Sequence, residues 1–275
     1  MLNAEDLNAA REELLHPTTT AGSATGSVAF TTNANNRTAG WLTNSYKELK
    51  DSLPAILADK TEPSVMAKKL LLPGVSNHNY ISIGIYDHPC NELPQSCKPY
   101  PGSNPLPPSE CDNKTGLPWE PCDGIRNQAA ISEGDAPSHD AMVDAVVMLG
   151  LGAYYSDNVT ETNAYVSKAK QVIETWFLAD ATAMLPNLYY GQIMPREGAQ
   201  AKGHGGFIEW AHTAFLLDHF ELLRFAAARD NLQSVWTPAF DNALRGWWTA
   251  FEAFVEGKDA QGTVENECSC LDLSF

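Results

Sequence analysis

The sequence predicts an all-α fold in which neighbouring helices join as antiparallel pairs. Apolar residues in the second half of the chain recur at spacings of three and four, which is typical of amphipathic helices. Helix start signals precede two of these segments, at Pro137-Ser138 and at Thr237-Pro238. No run alternates convincingly between apolar and polar residues as a strand would, and no internal repeat is present.

The first half of the chain contains three predicted helices. We expect them over Ala4 to Leu15, from about Trp41 to Leu57, and near Ser64 to Leu70. The segment 17–37 is rich in Thr, Ala, Ser, Gly and Asn and has no periodicity, so it is predicted to be a flexible loop.

Four predicted helices follow from Ser138 onward. The first carries apolar residues from Met142 to Tyr154, and the second carries a single core-facing stripe from Tyr165 to Phe177. The third, from about Phe207 to Ala228, is apolar on most faces, which predicts burial between neighbours. The fourth begins at Pro238 and reaches Gly257, after which residues 258–275 form an irregular tail.

Residues 71–137 form a long Pro-rich and Cys-rich loop region with little periodicity. Four of the six cysteines lie in it, at Cys90, Cys97, Cys111 and Cys122. Because such a segment buries little apolar surface, disulfide bonds are a natural way to hold it. Cys268 and Cys270 are too close together, and too near the end, to support a zinc-finger arrangement.

Several features favour a secreted protein, although no signal peptide is visible at the N-terminus. Besides the cysteines, the chain contains three glycosylation sequons, at Asn36, Asn113 and Asn158. The composition, 44% hydrophobic and 19% charged, is that of a folded globular protein. No apolar run approaches the roughly 20 residues that a membrane span requires.

The net charge of −16 argues against binding to nucleic acid or to an anionic membrane. The same objection applies more weakly to acidic polysaccharides, because a locally basic cleft could overcome the net field. Nothing in the sequence indicates an oligomeric state.

A polar loop follows the stripe-bearing helix where Pro186 stops regular structure. Asn187, Tyr189, Tyr190 and Gln192 lie within seven residues and could present amides and phenols to a ligand. The alternative is a structural loop whose Asn caps a backbone group and whose tyrosines are half-buried.

Three further segments carry polar groups without a specific motif. The glycine turn 203–206 could aim His204 into a cleft, or it could be a simple hinge. His139-Asp140 lacks a third ligand at defined spacing, so we expect no metal site. Asp123 to Asn127 is a turn that offers Arg126 and an amide. The sequence contains no nucleotide-binding glycine loop, HExxH, nucleophile elbow or EF-hand, and no cofactor is expected.

In order along the chain, these segments resemble the alginate lyase family of polysaccharide lyases. The resemblance rests on His78-Asn79-Tyr80-Ile81-Ser82, Asp123-Gly124-x-x-Asn127, His139-Asp140-Ala141-Met142, Trp176 to Gln192, and the glycine turn. It covers about residues 40 to 256, is strongest over 64–256, and implies one alginate-lyase-like domain over 1–275. It also implies an (α/α) toroid, secretion, and β-elimination of uronic-acid polysaccharides.

The resemblance implies roles for nine residues. The catalytic group would comprise Asn187, Tyr190 and His204. Residues lining the cleft and contacting the sugars would be Gln192, Arg126, Asn127, His78, Tyr80 and His139. The partner would be an acidic polysaccharide, and the chemistry would need neither metal nor cofactor.

Departures from the family pattern qualify this expectation. No Asn-Asn-His occurs after the helix at 238–256, the loop 86–90 lacks Trp-Trp-Pro, and Glu209 stands where the family tends to have Asp. We therefore expect an incomplete, C-terminally truncated toroid with weak or no activity. The alternative is a non-catalytic secreted carbohydrate-binding protein. A glycoside hydrolase would need two flanking carboxylates, and no convincing pair surrounds the loop.

Overall fold

A computed structural model of the chain describes residues 8–9, 11–12, 37–97, 111–112, 119–193 and 206–259. Most of these residues are helical. The helices are α1 (Arg37–Ala58), α2 (Gln128–Glu133), α3 (Ala136–Tyr155), α4 (Val159–Ile173), α5 (Gly206–Glu209), α6 (Ala214–Arg229) and α7 (Pro238–Asp259). In the described part of the chain, no helix is both long enough and apolar enough to cross a membrane.

Among the described residues, four short strands accompany the helices, whereas the sequence predicts none. Strand β1 (Ile81–Ile83) pairs in parallel with β4 (Tyr190–Ile193), and β2 (Asp87–Pro89) pairs antiparallel with β3 (Trp119–Pro121). Strands of three or four residues are too short to show an alternating pattern. All three residues of β1 are buried, so this strand has no polar face to reveal it.

The chain divides into two compact units. The first contains Met1–Thr61, Ala145–Lys170 and Phe215–Thr237, and the second contains Glu62–Asp144, Gln171–Ala214 and Pro238–Phe275. In the first unit, a Cβ on Gly152 would lie 2.7 Å from Cδ1 of Leu53, so α1 packs directly against α3. The guanidinium of Arg229 donates hydrogen bonds to the carbonyls of Ala153 and Tyr154 and caps the end of α3.

Aromatic side chains form the core of the second unit. The most deeply buried large side chains there include Trp176, Phe177, Trp210, Trp248 and Phe251. The ring of Phe177 lies 4.6 Å from that of Trp247, centroid to centroid, and packs the end of the stripe-bearing helix against α7. The predicted start of α7 at Pro238 is confirmed.

The loop region between residues 71 and 137 is cross-linked as the sequence predicts. Disulfide bonds join Cys90 to Cys111 and Cys97 to Cys122. The Asn127 carboxamide further connects this region, because its Oδ1 accepts from the amide of Ala130 and its Nδ2 donates to the carbonyl of Asp87. Cys268 and Cys270 lie outside the described residues.

Two predicted helices are interrupted, for reasons that lie in distant contacts. The segment 64–70 forms only a 3-10 turn at Val65–Ala67, because the amides of Lys69 and Leu70 donate instead to the carbonyl of Glu133. The segment from Phe207 to Ala228 is divided into α5, a 3-10 turn at Trp210–Thr213, and α6. Helix 4–15 is described only at residues 8–9 and 11–12, which are helical. Of the predicted loop 17–37, only Arg37 is described, and it begins α1. Of the predicted tail 258–275, residues 258–259 end α7, so the tail prediction is wrong there. The remainder of both segments lies outside the described residues.

Candidate functional site

The polar loop begins at a widened helical turn. Helix α4 continues into a π-helical turn over Glu174–Leu178, in which the amide of Ala179 donates to the carbonyl of Glu174. The freed carbonyl of Trp176 accepts from the amide of Met184 at 2.8 Å. The π turn therefore redirects the chain and anchors the start of the loop to the aromatic core.

His78 holds the same loop through two hydrogen bonds. Its Nδ1 lies 2.7 Å from the carbonyl of Ala183, and its own carbonyl accepts from the amide of Leu185 at 2.8 Å. Because a carbonyl only accepts, Nδ1 carries the proton in this hydrogen bond. In neutral His78, Nε2 is therefore the unprotonated nitrogen.

Asn187 makes the backbone contact that the structural-loop interpretation predicts. Its Oδ1 accepts from the amide of Tyr189 at 3.3 Å, as a capping Asn would, and Tyr189 and Tyr190 are half-buried. The same bond orients the carboxamide, because it assigns the oxygen to the backbone. Within the described part of the chain, Nδ2 of Asn187 makes no hydrogen bond.

Strand β4 contains a bulge at Gln192. Ile81 pairs with Tyr190 and Ile83 pairs with Ile193, so β4 has one more residue than β1 between the paired positions. Gln192 has φ of 49°, a left-handed conformation that is unfavourable for a side chain of this kind. Bulges of this type re-aim side chains and occur often beside functional sites.

Glu209, at the end of α5, joins the two strands through hydrogen bonds. Its Oε2 accepts from the phenol of Tyr80 at 2.7 Å and from the hydroxyl of Ser82 at 2.6 Å. The Ser82 oxygen in turn accepts from the backbone amide of Gln192 at 2.8 Å, which links Glu209 to β4 through Ser82.

The network has a defined protonation pattern. Burial, reinforced by the Glu209 charge, raises the pKa of Tyr80 well above its ordinary value, so the phenol remains a donor. Burial also raises the pKa of Glu209, while donors on Ser82, Tyr80 and Gln192 oppose that rise. A carboxylate that accepts hydrogen bonds from Tyr80 and Ser82 is thereby held in a half-buried position.

Two glycines allow α5 to approach β4 closely. A Cβ on Gly191 would lie 2.6 Å from Cα of Gly206, and one on Gly206 would lie 3.1 Å from Cβ of Leu188. Only glycine fits at such a backbone contact. Gly206 begins the helix that carries Glu209, so this contact sets the distance between Glu209 and β4.

His139 lies in the interior of the second unit. Its ring stacks on Trp210 with centroids 4.7 Å apart, and its Nε2 lies 3.4 Å from the hydroxyl of Thr213. Burial lowers the pKa of His139, so the imidazole is held neutral. Its Nδ1 is 3.7 Å from Oδ1 of Asp140, beyond hydrogen-bond distance.

The nine residues named from the sequence are distributed as follows. Tyr80 donates to Glu209, Gln192 is linked to Glu209 through Ser82, Tyr190 is on the same strand as Gln192, and His78 holds the loop of Asn187. Of the remainder, His139 packs against Tyr80, Arg126 is exposed on the turn before α2, Asn127 is buried and caps α2, and His204 lies outside the described residues.

Sequence reasoning missed Glu209 and Ser82 as members of the site. Glu209 appeared only as a departure from a family pattern, and Ser82 only as part of a longer motif. A carboxylate between Ile208 and Trp210 in an apolar segment is the signal that could have identified the first. Among the described residues, no group of three His, Cys, Asp or Glu side chains could hold a metal ion.

Comparisons with known proteins agree with this architecture. No curated protein sequence matches the chain. A solved structure of an alginate lyase from Bacteroides ovatus matches with a TM-score of 0.64 and 25% identity, over 93% of this chain and 52% of that one. The chain thus spans about half the length of that lyase.

The match confirms the prediction of a mainly helical fold of the (α/α)-toroid type. The family model described as alginate lyase matches residues 64–265, a range that contains every described residue of the loop, the bulge and the Glu209 network. The chain therefore belongs to the alginate lyase family.

Proposed function

We propose that the protein cleaves a uronic-acid polysaccharide, alginate or a related polyuronate, by β-elimination. The family supports a polysaccharide lyase-like function in general terms. The observation that carries the specific proposal is the orientation of Asn187, whose Oδ1 is bonded to the amide of Tyr189 while Nδ2 is left to donate.

The chemistry explains why a fixed amide donor is useful. Elimination removes the proton on the carbon next to the uronate carboxylate, and that proton is only weakly acidic while the carboxylate keeps its full charge. Donors aimed at the carboxylate stabilise the enolate-like transition state. In the proposed mechanism, Nδ2 of Asn187 donates to one carboxylate oxygen, so that negative charge accumulates there as the proton leaves.

Tyr190 and His204 complete the proposed catalytic group. Tyr190 is half-buried on β4, and its ring packs beside Ile83 and Ile193. We propose that its phenol transfers a proton or contacts the sugar. In the proposed step, Tyr190 or His204 removes the proton, the bond between the β-carbon and the glycosidic oxygen breaks, and a Tyr190 phenol proton goes to the leaving oxygen. Gln192, His78 and the exposed Arg126 are proposed to contact the sugars.

Three of the predicted contact residues receive a different role. Tyr80 has no exposed surface, His139 is 1% exposed, and the carboxamide of Asn127 is hydrogen-bonded at both ends. We assign these residues to the support of the site instead of to direct contact with substrate. Tyr80 acts through Glu209, and His139 acts through packing on Trp210.

An extracellular location is part of the proposal. Two disulfide bonds within the second unit favour an oxidising compartment. Asn158 is exposed and caps α4 through its Oδ1, which accepts from the amide of Thr160. A glycan on Nδ2 would preserve that bond. Asn36 and Asn113 lie outside the described residues. The acidity of the chain is the reason to propose no nucleic-acid partner.

The decisive experiment is incubation of the protein with alginate and with polyglucuronate while ultraviolet absorbance is recorded. Elimination creates a conjugated unsaturated uronate, so absorbance rises, whereas hydrolysis leaves it unchanged. Asn187→Ala should reduce kcat/KM by about 10²- to 10³-fold, as loss of one transition-state donor does elsewhere. Asn163→Ala, on the exposed face of α4, is the matched control and should retain wild-type activity.

Two results would contradict the proposal in different ways. Binding of oligouronates in calorimetry without any new absorbance would identify a carbohydrate-binding protein that lacks turnover. Full activity of Asn187→Ala would remove that residue from the mechanism.

A further inference from the structure

The bulge in β4 determines which side chains share a face of that strand. Tyr190 and Ile193 are three positions apart, and an odd separation places two side chains on opposite faces of a regular strand. Ile83, Ala130 and Ile193 form one buried apolar cluster, and Tyr190 nevertheless packs against that cluster. The bulge explains this, because β4 has one more residue than β1 between the paired positions and the alternation is reversed. The ring of Tyr190 therefore reaches the apolar cluster because β4 is bulged.

The bulge has a conformational cost at Gln192. Its φ of 49° lies in the left-handed region, which residues other than glycine, asparagine and aspartate seldom occupy. A backbone in this region persists where surrounding contacts hold it. The contacts that hold Gln192 are therefore part of what places Tyr190.

Ser82 supplies such a contact from the face of β1 that is opposite to Ile83. Its oxygen accepts a hydrogen bond from the backbone amide of Gln192 at 2.8 Å. Its single hydrogen is used elsewhere, because the hydroxyl donates to Oε2 of Glu209 at 2.6 Å. Tyr80 donates to the same carboxylate oxygen at 2.7 Å and holds it in place. Because Ser82 is almost completely buried, water has little access to these hydrogen bonds.

We propose that Ser82 is a positioning residue for Tyr190. It holds the left-handed backbone of Gln192, and the resulting bulge turns the Tyr190 ring onto the apolar cluster, from which the phenol transfers a proton. The inference rests on the proposed function, in which Tyr190 acts at the uronate ring. Ser82 itself touches neither substrate nor the reacting atoms, so its loss should impair turnover more than binding.

The position of Tyr190 is tested without substrate by magnetic resonance. In protein with labelled tyrosine and isoleucine, the cross-peaks between the Tyr190 ring and isoleucine methyl groups are identified by their absence from Tyr190→Phe. Wild-type protein should show these cross-peaks, and Ser82→Ala should lose them. The Gln192 amide should also exchange its hydrogen at least about tenfold faster in Ser82→Ala, since its acceptor is gone.

Ser132→Ala is the matched control for this measurement. It removes a hydroxyl that donates to the carbonyl of Ala129 at an exposed position of α2. The cross-peaks and the Gln192 exchange rate should both stay at their wild-type values in this variant. Absence of the cross-peaks from wild-type protein, or their persistence in Ser82→Ala, would overturn the positioning role.

A second substitution tests whether Ser82 acts through the backbone of Gln192. Asparagine adopts the left-handed conformation more readily than glutamine and keeps a side-chain amide, so Gln192→Asn should hold the bulge with less help from Ser82. On polyuronate, Ser82→Ala should lower kcat by about 10²-fold and change KM by less than about threefold. In the Gln192→Asn background, the same substitution should lower kcat by less than about tenfold. Equal losses of kcat in the two backgrounds, or a rise in KM without a fall in kcat, would contradict the inference.

The outcomes separate this inference from the proposed function. If wild-type protein cleaves no polyuronate, the function is refuted, and the cross-peaks and amide exchange alone decide whether Ser82 places Tyr190. If the polymer is cleaved and Tyr190→Phe is fully active, the function stands and the positioning role is refuted. If Ser82→Ala does not fold, the double variant with Gln192→Asn decides. Recovery of folding together with the cross-peaks supports the inference, and failure to recover them overturns it.

Discussion

The ammonium group of Lys68 lies 3.1 Å from Oδ2 of Asp135, and both side chains are almost completely buried. Lys68 also donates to the carbonyls of Val65 and Asn77, and Asp135 accepts from the amide of Ile81 at 2.8 Å. The pair therefore connects the 3-10 turn and the start of β1 to the beginning of α3. Because β1 carries Ser82, the pair also supports the Glu209 network.

The buried pair predicts a pH dependence of stability. Burial raises the pKa of Asp135 to about 7, against the opposing charge of Lys68. Because the folded pKa exceeds the unfolded value, this group stabilises the fold most below pH 4, and its contribution is lost as pH rises through 7. Between these limits, its share of the free energy of unfolding should fall by up to about 1.4 kcal/mol per pH unit.

Urea denaturation of wild type and Asp135→Asn across pH 4–8 measures this share as the difference between the two curves. Asp123→Asn, at an exposed turn position, is the matched control. Parallel curves for wild type and Asp135→Asn would show that Asp135 does not titrate in this range.

Gly191→Ala should displace α5 from β4. The added Cβ would meet Cα of Gly206 at 2.6 Å, a backbone contact that no rotamer change relieves. We expect destabilisation of about 1–3 kcal/mol, as for other overpacked sites, together with loss of activity on polyuronate. Gly246→Ala, on α7 with no atom within 4 Å of the added methyl, is the control and should be neutral or slightly stabilising. Equal unfolding free energies for the two variants would contradict the close contact.

Tyr80→Phe should weaken the Glu209 network without exposing it. The change removes a 2.7 Å hydrogen bond to a carboxylate in the interior, which should cost about 1.5–3 kcal/mol in the free energy of unfolding. Loss of one donor should also raise the pKa of Glu209 further. The Glu209 carboxyl carbon, observed by ¹³C magnetic resonance and assigned by its loss in Glu209→Gln, should therefore titrate at a higher pH in this variant. An unchanged titration midpoint would separate Tyr80 from the network.

The two disulfide bonds should be detectable and stabilising. Peptide mapping without reduction should recover Cys90 linked to Cys111 and Cys97 linked to Cys122. Reduction should lower the free energy of unfolding by about 2–4 kcal/mol for each bond, since each closes a loop of more than 20 residues. Recovery of other pairings among these four cysteines would contradict the fold of the 71–137 region.

Much of the helical framework could be predicted because the information is local. The three-four spacing of apolar residues located α3, α4 and α7, and Thr237-Pro238 predicted the start of α7 correctly. The strands and the 3-10 turn at Val65–Ala67 could not be predicted. Their hydrogen bonds go to residues far away in sequence, such as that from Lys69 to Glu133.

The candidate site shows the same division. Residue type and loop position were sufficient to nominate Asn187, Tyr190 and Gln192 from the polar loop. They could not show that Tyr80 and His139 are interior, because an aromatic or imidazole side chain suits either a core or a cleft. Glu209 was missed because its partners Tyr80 and Ser82 precede it by more than 120 residues.

The sequence by itself determined the helical class, the cysteine-linked region and the polar loop after the π turn, since each depends on spacing and composition within short segments. Tertiary structure alone decided that Glu209 meets Tyr80 and Ser82, and that α5 lies close enough to β4 for the contact between Gly191 and Gly206. Those hydrogen bonds form only when both partners are in place, and that placement is a property of the folded chain.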